Sequence, residues 1–156
     1  MKQLEFVSNG FTIEAADGTG AKSLSGIAVP YGVEAQVSDG RRVVIEAGAL
    51  PVDGKKPKLL VEHDPQRPIG TVTARSESED GSAMLFTAKV AGTNLGNETM
   101  LLASEGVYDS VSIGITPTKW KTIDGVMHVQ AARWNEISVV NTPAFDGATI
   151  TDVQAS

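Results

Sequence analysis

The chain has 156 residues, of which 41% are hydrophobic, 21% charged and only 5% aromatic. That suits one domain spanning 1–156, with a core resting on Val, Ile, Leu and Ala. The formal net charge is −6, and no basic stripe of the kind that binds nucleic acid is visible; Lys55, Lys56 and Lys58 form a short basic cluster that reads as a solvated turn. There is no cysteine, hence no disulfide, thiolate nucleophile or zinc-finger spacing. The start Met1-Lys2-Gln3 turns polar too early for a signal peptide, and no apolar run approaches the roughly 20 residues of a membrane span, so the expectation is a soluble, unexported protein.

In chain order, short β-type segments alternate with Gly, Pro and Asp-Gly. Strands are predicted over 4–7, 11–15, 22–29 and 43–46, with a single helical turn over 46–50. More follow over 58–63, 69–75 and 83–90. Residues 94–105 break the pattern: Leu95, Thr99, Met100 and Leu102 recur at three and four, and Gly106 follows as a stop, which predicts an amphipathic helix. Asp124-Gly125 between residues 119–123 and 126–134 predicts a hairpin, and strands over 136–140 and 148–153 complete the set. The residues imply a mostly antiparallel β barrel or sandwich with one helix.

The chain has two histidines. His63 ends the apolar run from Leu59 and meets Asp64-Pro65, so a strand should deliver its imidazole to a turn. A histidine so placed is more often a hydrogen-bonded structural residue. In the 126–134 strand, alternation groups His128 with Gln130 and Ala132 against Met127, Val129 and Ala131, placing His128 on the solvent side. Around Ser112, alternation puts Val111, Ile113 and Ile115 on the core face and Ser110, Ser112 and Gly114 opposite. Gly114 would leave room for a substrate backbone, although a small-residue strand packing under a helix is the commoner reason for such a pattern. Glu136 opens a strand in which Ile137 and Val139 face one way, Glu136 and Ser138 the other. A serine nucleophile needs a base, and the base a third group to fix its tautomer. The composition permits such a triad without selecting one, and Asp64 is another available acid.

His63-Asp64 leading to Pro68-Ile69-Gly70, then Ser112-Ile113-Gly114, then Glu136-Ile137-Ser138-Val139-Val140 and Pro143-Ala144, in that order, resemble the prohead proteases of tailed phages. That family is related in fold to the herpesvirus assemblins. Gly26-Ile27-Ala28-Val29-Pro30-Tyr31-Gly32 is similar to its first strand and turn. The resemblance implies a mainly β chain with a few helices (α+β), built as a closed antiparallel β barrel flanked by helices. It implies a serine endopeptidase with Ser112 as nucleophile, His63 as base and Glu136 as the carboxylate that orients it, acting without metal or cofactor. The implied partners are the major capsid protein and scaffold segments, cut inside the assembling prohead in the host cytoplasm. Self-cleavage and a homo-oligomer are allowed; nucleic acid and membrane are not expected. The oxyanion donors are placed at the backbone N–H groups of residues 141–144, from the turn that Pro143 implies. Ile115 stands where the family commonly has an aromatic. The competing reading is a non-catalytic β-rich capsid assembly or scaffold-binding module of the same fold.

Overall fold

The computed structural model describes residues 3–9, 11–15, 22–37, 39–141 and 149–150. β-branched residues at alternate positions keep the chain extended, and Gly, Pro or Asp-Gly ends most runs. The strands are β1 (Leu4–Asn9), β2 (Thr12–Ala15), β3 (Lys22–Pro30), β4 (Ala35–Gln36), β5 (Arg42–Ile45), β6 (Lys58–Val61), β7 (Asp64–Glu77), β8 (Ala83–Val90), β9 (Ser110–Ile123), β10 (Val126–Val140) and β11 (Thr149–Ile150). They form one sheet in the order β11-β1-β9-β10-β6-β7-β8-β3-β2, with β5 on β10 and β4 on β5.

The sheet is a curled half-barrel, open rather than closed, because no hydrogen-bonded pairing joins β11 to β2 among the described residues. Nor is it wholly antiparallel: β5 and β6 both run parallel to β10, and β11 runs parallel to β1. The expected closed antiparallel barrel is thus corrected on two points. Apolar alternation fixes which face of a strand is buried but is the same whichever neighbour it pairs with and in whichever direction.

Among the described residues there is one helix, α1 (Asn94–Ser104), where the resemblance implied several. Thr93 caps its start, Oγ1 accepting from the Gly96 N–H at 3.0 Å. Its end is a Schellman motif: Gly106, at φ 81°, donates to the Ala103 carbonyl, and Val107 donates to that of Leu102. The helical turn expected over 46–50 is absent, since Gly48 at φ 81° turns the chain away after a single Ala49-to-Glu46 hydrogen bond. No helix among the described residues is long and apolar enough to cross a membrane.

The core gathers Val111, Ile113 and Ile115 of β9 with Ile137 and Val139 of β10, Leu59 and Val61 of β6, and Phe6 of β1. Burying each such side chain contributes about 1.5–3 kcal/mol. The whole set locks the register of β1, β9, β10 and β6, so the face opposite the core is fixed as well. The Asp124-Gly125 hairpin forms as expected, with both residues at positive φ. Beyond it, irregularities between Val129 and Ala132 shift the alternation, so Ala132 joins the core instead of Ala131.

Candidate active site

The registers bring two rungs of residues together across four neighbouring strands. Val7, Ser112, Ser138 and Leu60 form one, and Glu5, Gly114, Glu136 and Lys58 the next on the same face. Since Ile113 and Ile137 point into the core, Ser112, Gly114, Glu136 and Ser138 stand on the opposite face.

β6 and β7 are joined by a two-residue turn, Glu62-His63, whose residues both have positive φ, 52° and 59°. That signature usually calls for Asn-Gly; a side chain in this region costs roughly 1–2 kcal/mol per residue. The turn is held by Glu62 N–H donating to the Val139 carbonyl, His63 N–H to Ser138 Oγ and Asn141 N–H to Glu62 Oε1, at 3.0, 3.0 and 3.1 Å. It projects the His63 ring over β9 and β10.

His63 Nε2 lies 2.7 Å from Ser112 Oγ, and Nδ1 lies 2.6 Å from Glu136 Oε2. A carboxylate only accepts, so Nδ1 carries the proton and Nε2 is left to accept from the serine hydroxyl. The second carboxylate oxygen, Oε1, accepts from Ser138 Oγ at 2.8 Å. Gln3 Nε2 donates to Glu136 Oε2 at 3.2 Å and to Glu5 Oε2 at 3.3 Å, while Gln3 Oε1 accepts from Asn135 Nδ2 at 3.0 Å. Asn135 Nδ2 also donates to Thr116 Oγ1 at 2.9 Å.

The three residues singled out in the sequence, Ser112, His63 and Glu136, are therefore joined in one chain of hydrogen bonds. Asp64 is not part of it: its Oδ1 accepts from the Gln66 N–H. His128 stands elsewhere, 3.5 Å from Glu46. Ser110 lies on the same strand face two residues away and has Asp109 Oδ1 as acceptor. Ile115 is fully buried in the core and lines no groove. Of the expected oxyanion donors, the Asn141 N–H is occupied by Glu62, and residues 142–144 lie outside the described residues.

Sequence reasoning missed Gln3, Glu5 and Asn135. Gln3 touches a residue 133 positions away, and nothing in its local pattern points there. Ser138 was legible, because alternation already placed it beside Glu136. The role expected of Gly114 is corrected: the space above it is filled by the Glu136 carboxylate and the Gln3 amide, with which a Cβ would collide. The glycine makes room for the acid rather than for a substrate. Ser112 is also less open than expected, with no exposed surface, whereas the His63 side chain is 16% exposed.

Burial alone would lower the His63 pKa, but the hydrogen bond and charge of Glu136, with the charges of Glu5 and Glu62, outweigh it and raise the pKa above the ordinary histidine value. Glu5, His63 and Glu136 each offer an atom within 4.8 Å of the others, a spacing a cation could use. The amide of Gln3 already bridges the two carboxylates and both ring nitrogens of His63 are engaged, an arrangement that fits proton transfer.

A family model described as caudovirus prohead serine protease matches residues 9–156. Among solved structures, the chain is similar to the bacteriophage T4 capsid assembly protease gp21, with a TM-score of 0.55 and 11% sequence identity, over 89% of this chain and 99% of that one. At that identity the likeness speaks for the fold. No curated protein sequence matches.

Proposed function

The chain belongs to the caudovirus prohead serine protease family, and on that premise we propose that it is a serine endopeptidase that trims capsid-protein or scaffold extensions during prohead maturation. The observation that carries this reading is the continuous relay from Ser112 Oγ through His63 to Glu136, with separations of 2.7 and 2.6 Å. Ser112 Oγ attacks the scissile carbonyl as His63 Nε2 takes its proton. Glu136 holds the Nδ1 proton and offsets the imidazolium that forms, and His63 then protonates the leaving amine. Water, activated by the same imidazole, releases the acyl group from Ser112. Ser138 and Gln3 position the carboxylate, each through a hydrogen bond.

Because Ser112 has no exposed surface, the neighbouring chain must shift before a peptide carbonyl can reach its Oγ. That burial favours the second reading, a non-catalytic assembly module of the same fold. Against it stands the left-handed turn at Glu62-His63: a purely structural hairpin gains nothing from placing two bulky residues there. The site of action we propose is the interior of the assembling shell, with the substrates in cis or trans on the capsid or scaffold chain and self-cleavage as a side reaction.

Labelling the purified protein with a fluorophosphonate and mapping the adduct tests the assignment. The account expects the adduct on Ser112, abolished by His63→Ala and retained in His128→Ala. An adduct on Ser110 or Ser138 instead would overturn the choice of nucleophile.

A further inference from the structure

Four cationic side chains meet in one cleft of a chain whose net charge is −6. Lys55, Lys56, Lys58 and Arg133 line a cavity of about 450 Å3 together with Trp134 and Asn135, and Asp53 is the one acid on its wall. All four cations are exposed, and among the described residues none has an ion-pair partner.

Residues 55–58, which the sequence presents as a solvated turn, are braced. Arg75 donates from Nη1 to the Pro51 carbonyl and from Nη2 to that of Gly54, each at 3.2 Å, and its guanidinium lies 6.0 Å from the centre of the Trp134 ring. The buried Pro57 accepts at its carbonyl from Val72 N–H and Thr71 Oγ1, at 3.0 and 3.3 Å. A wall ordered in advance loses little freedom when something binds to it.

The cleft adjoins the relay. Lys58 pairs with Glu136 across β6 and β10, a strand spacing of about 4.8 Å. Asn135, on the cleft wall, donates to Gln3, which donates to Glu136. A chain crossing the Ser112–His63 face and continuing past Glu136 would enter among these cations.

We propose that this cleft receives an acidic stretch of the peptide substrate beside the scissile bond and so selects which extension is cut. The inference rests on the proteolytic reading above. A peptide is favoured over nucleic acid because duplex DNA carries one charge per roughly 1.7 Å and needs a long basic track. Here the cluster is four cations in one cleft on an acidic molecule. A few Glu or Asp side chains match that size.

The test measures binding apart from cleavage. A fluorescein-labelled twelve-residue peptide with four glutamates, and its counterpart with four glutamines, are titrated into the Ser112→Ala protein and followed by anisotropy. The glutamate peptide should bind on the order of tenfold more tightly, equivalent to about 1.4 kcal/mol. That preference should vanish in Ser112→Ala carrying Lys55→Gln, Lys58→Gln and Arg133→Gln, and in 1 M salt, where the screening length is about 3 Å. Equal binding of the two peptides, a preference that survives the charge removal, or tighter binding of a single-stranded oligonucleotide of the same length would overturn the proposal. A wild type that cleaves neither peptide yet keeps the binding preference would sink the protease reading and leave the cleft assignment standing. Cleavage of both peptides at equal rates, without a binding preference, would do the reverse.

Discussion

Gly114 shows how closely the site is packed at the level of single residues. Its missing side chain is the space that the Glu136 carboxylate and Gln3 amide occupy, so Gly114→Ala should displace the acid from His63 and lower kcat by at least tenfold, read on a capsid-derived peptide with thermal melts alongside. Glu136→Gln keeps the size but exchanges an acceptor for a potential donor, which can hold the imidazole in the wrong tautomer. In the Ser-His-Asp template the same change costs about 10⁴ in turnover. A loss on the order of 10²–10⁴ is expected here, and activity within about threefold of wild type would reduce Glu136 to a structural residue. On the proposed mechanism His63 acts as neutral imidazole, while Glu136, Glu5 and Glu62 all favour its cation. The rate should therefore rise with pH through a midpoint above the ordinary histidine value of about 6.5, and Glu5→Gln should move that limb toward lower pH. A limb unmoved by Glu5→Gln would remove Glu5 from the electrostatics of the site. Residue type and strand position made the histidine, serine and glutamate candidates, and the resemblance to the prohead proteases selected them. Gln3 and Glu5 could not be found in this way, because their contribution depends on β1 lying against β9, a pairing no local pattern encodes.

At the scale of elements, α1 was readable because its signals are local. The three-and-four spacing and Gly106 after it act within a few residues, and Gly106 does end the helix, while the structure adds Thr93 as its N-terminal cap. Gly106→Ala places a Cβ at φ 81° and should destabilise the protein by about 1 kcal/mol, lowering Tm by about 2–4 °C for a chain of this size. A melt within 1 °C of wild type would show that the helix end is not under that constraint. β9 and β10 are longer than the sequence suggested, running unbroken over 14 and 15 residues, because irregularities absorb the breaks in alternation without ending the strands. Those same irregularities moved Ala132 into the core, yet restored the phase before Glu136, so the face assigned to Glu136 and Ser138 held.

Across the whole molecule, the mainly β character followed from alternation and turn residues, while closure and strand direction did not. β6 lies parallel to β10 although 78 residues separate the paired Val61 and Val139, and such long-range choices are made by the core as a whole. The consequence for function is that four strands from three separate stretches of the sequence place Ser112, His63, Glu136 and their supports on one face of a half-barrel. The central claim is that this face cleaves capsid-shell proteins through Ser112. Its most direct test is co-expression with the capsid protein from the same source, followed by mass spectrometry of the N-termini in the assembled shell. The account predicts new, trimmed N-termini with the wild type and only full-length chains with Ser112→Ala, at equal levels of folded protein. Trimming that persists with Ser112→Ala would contradict it.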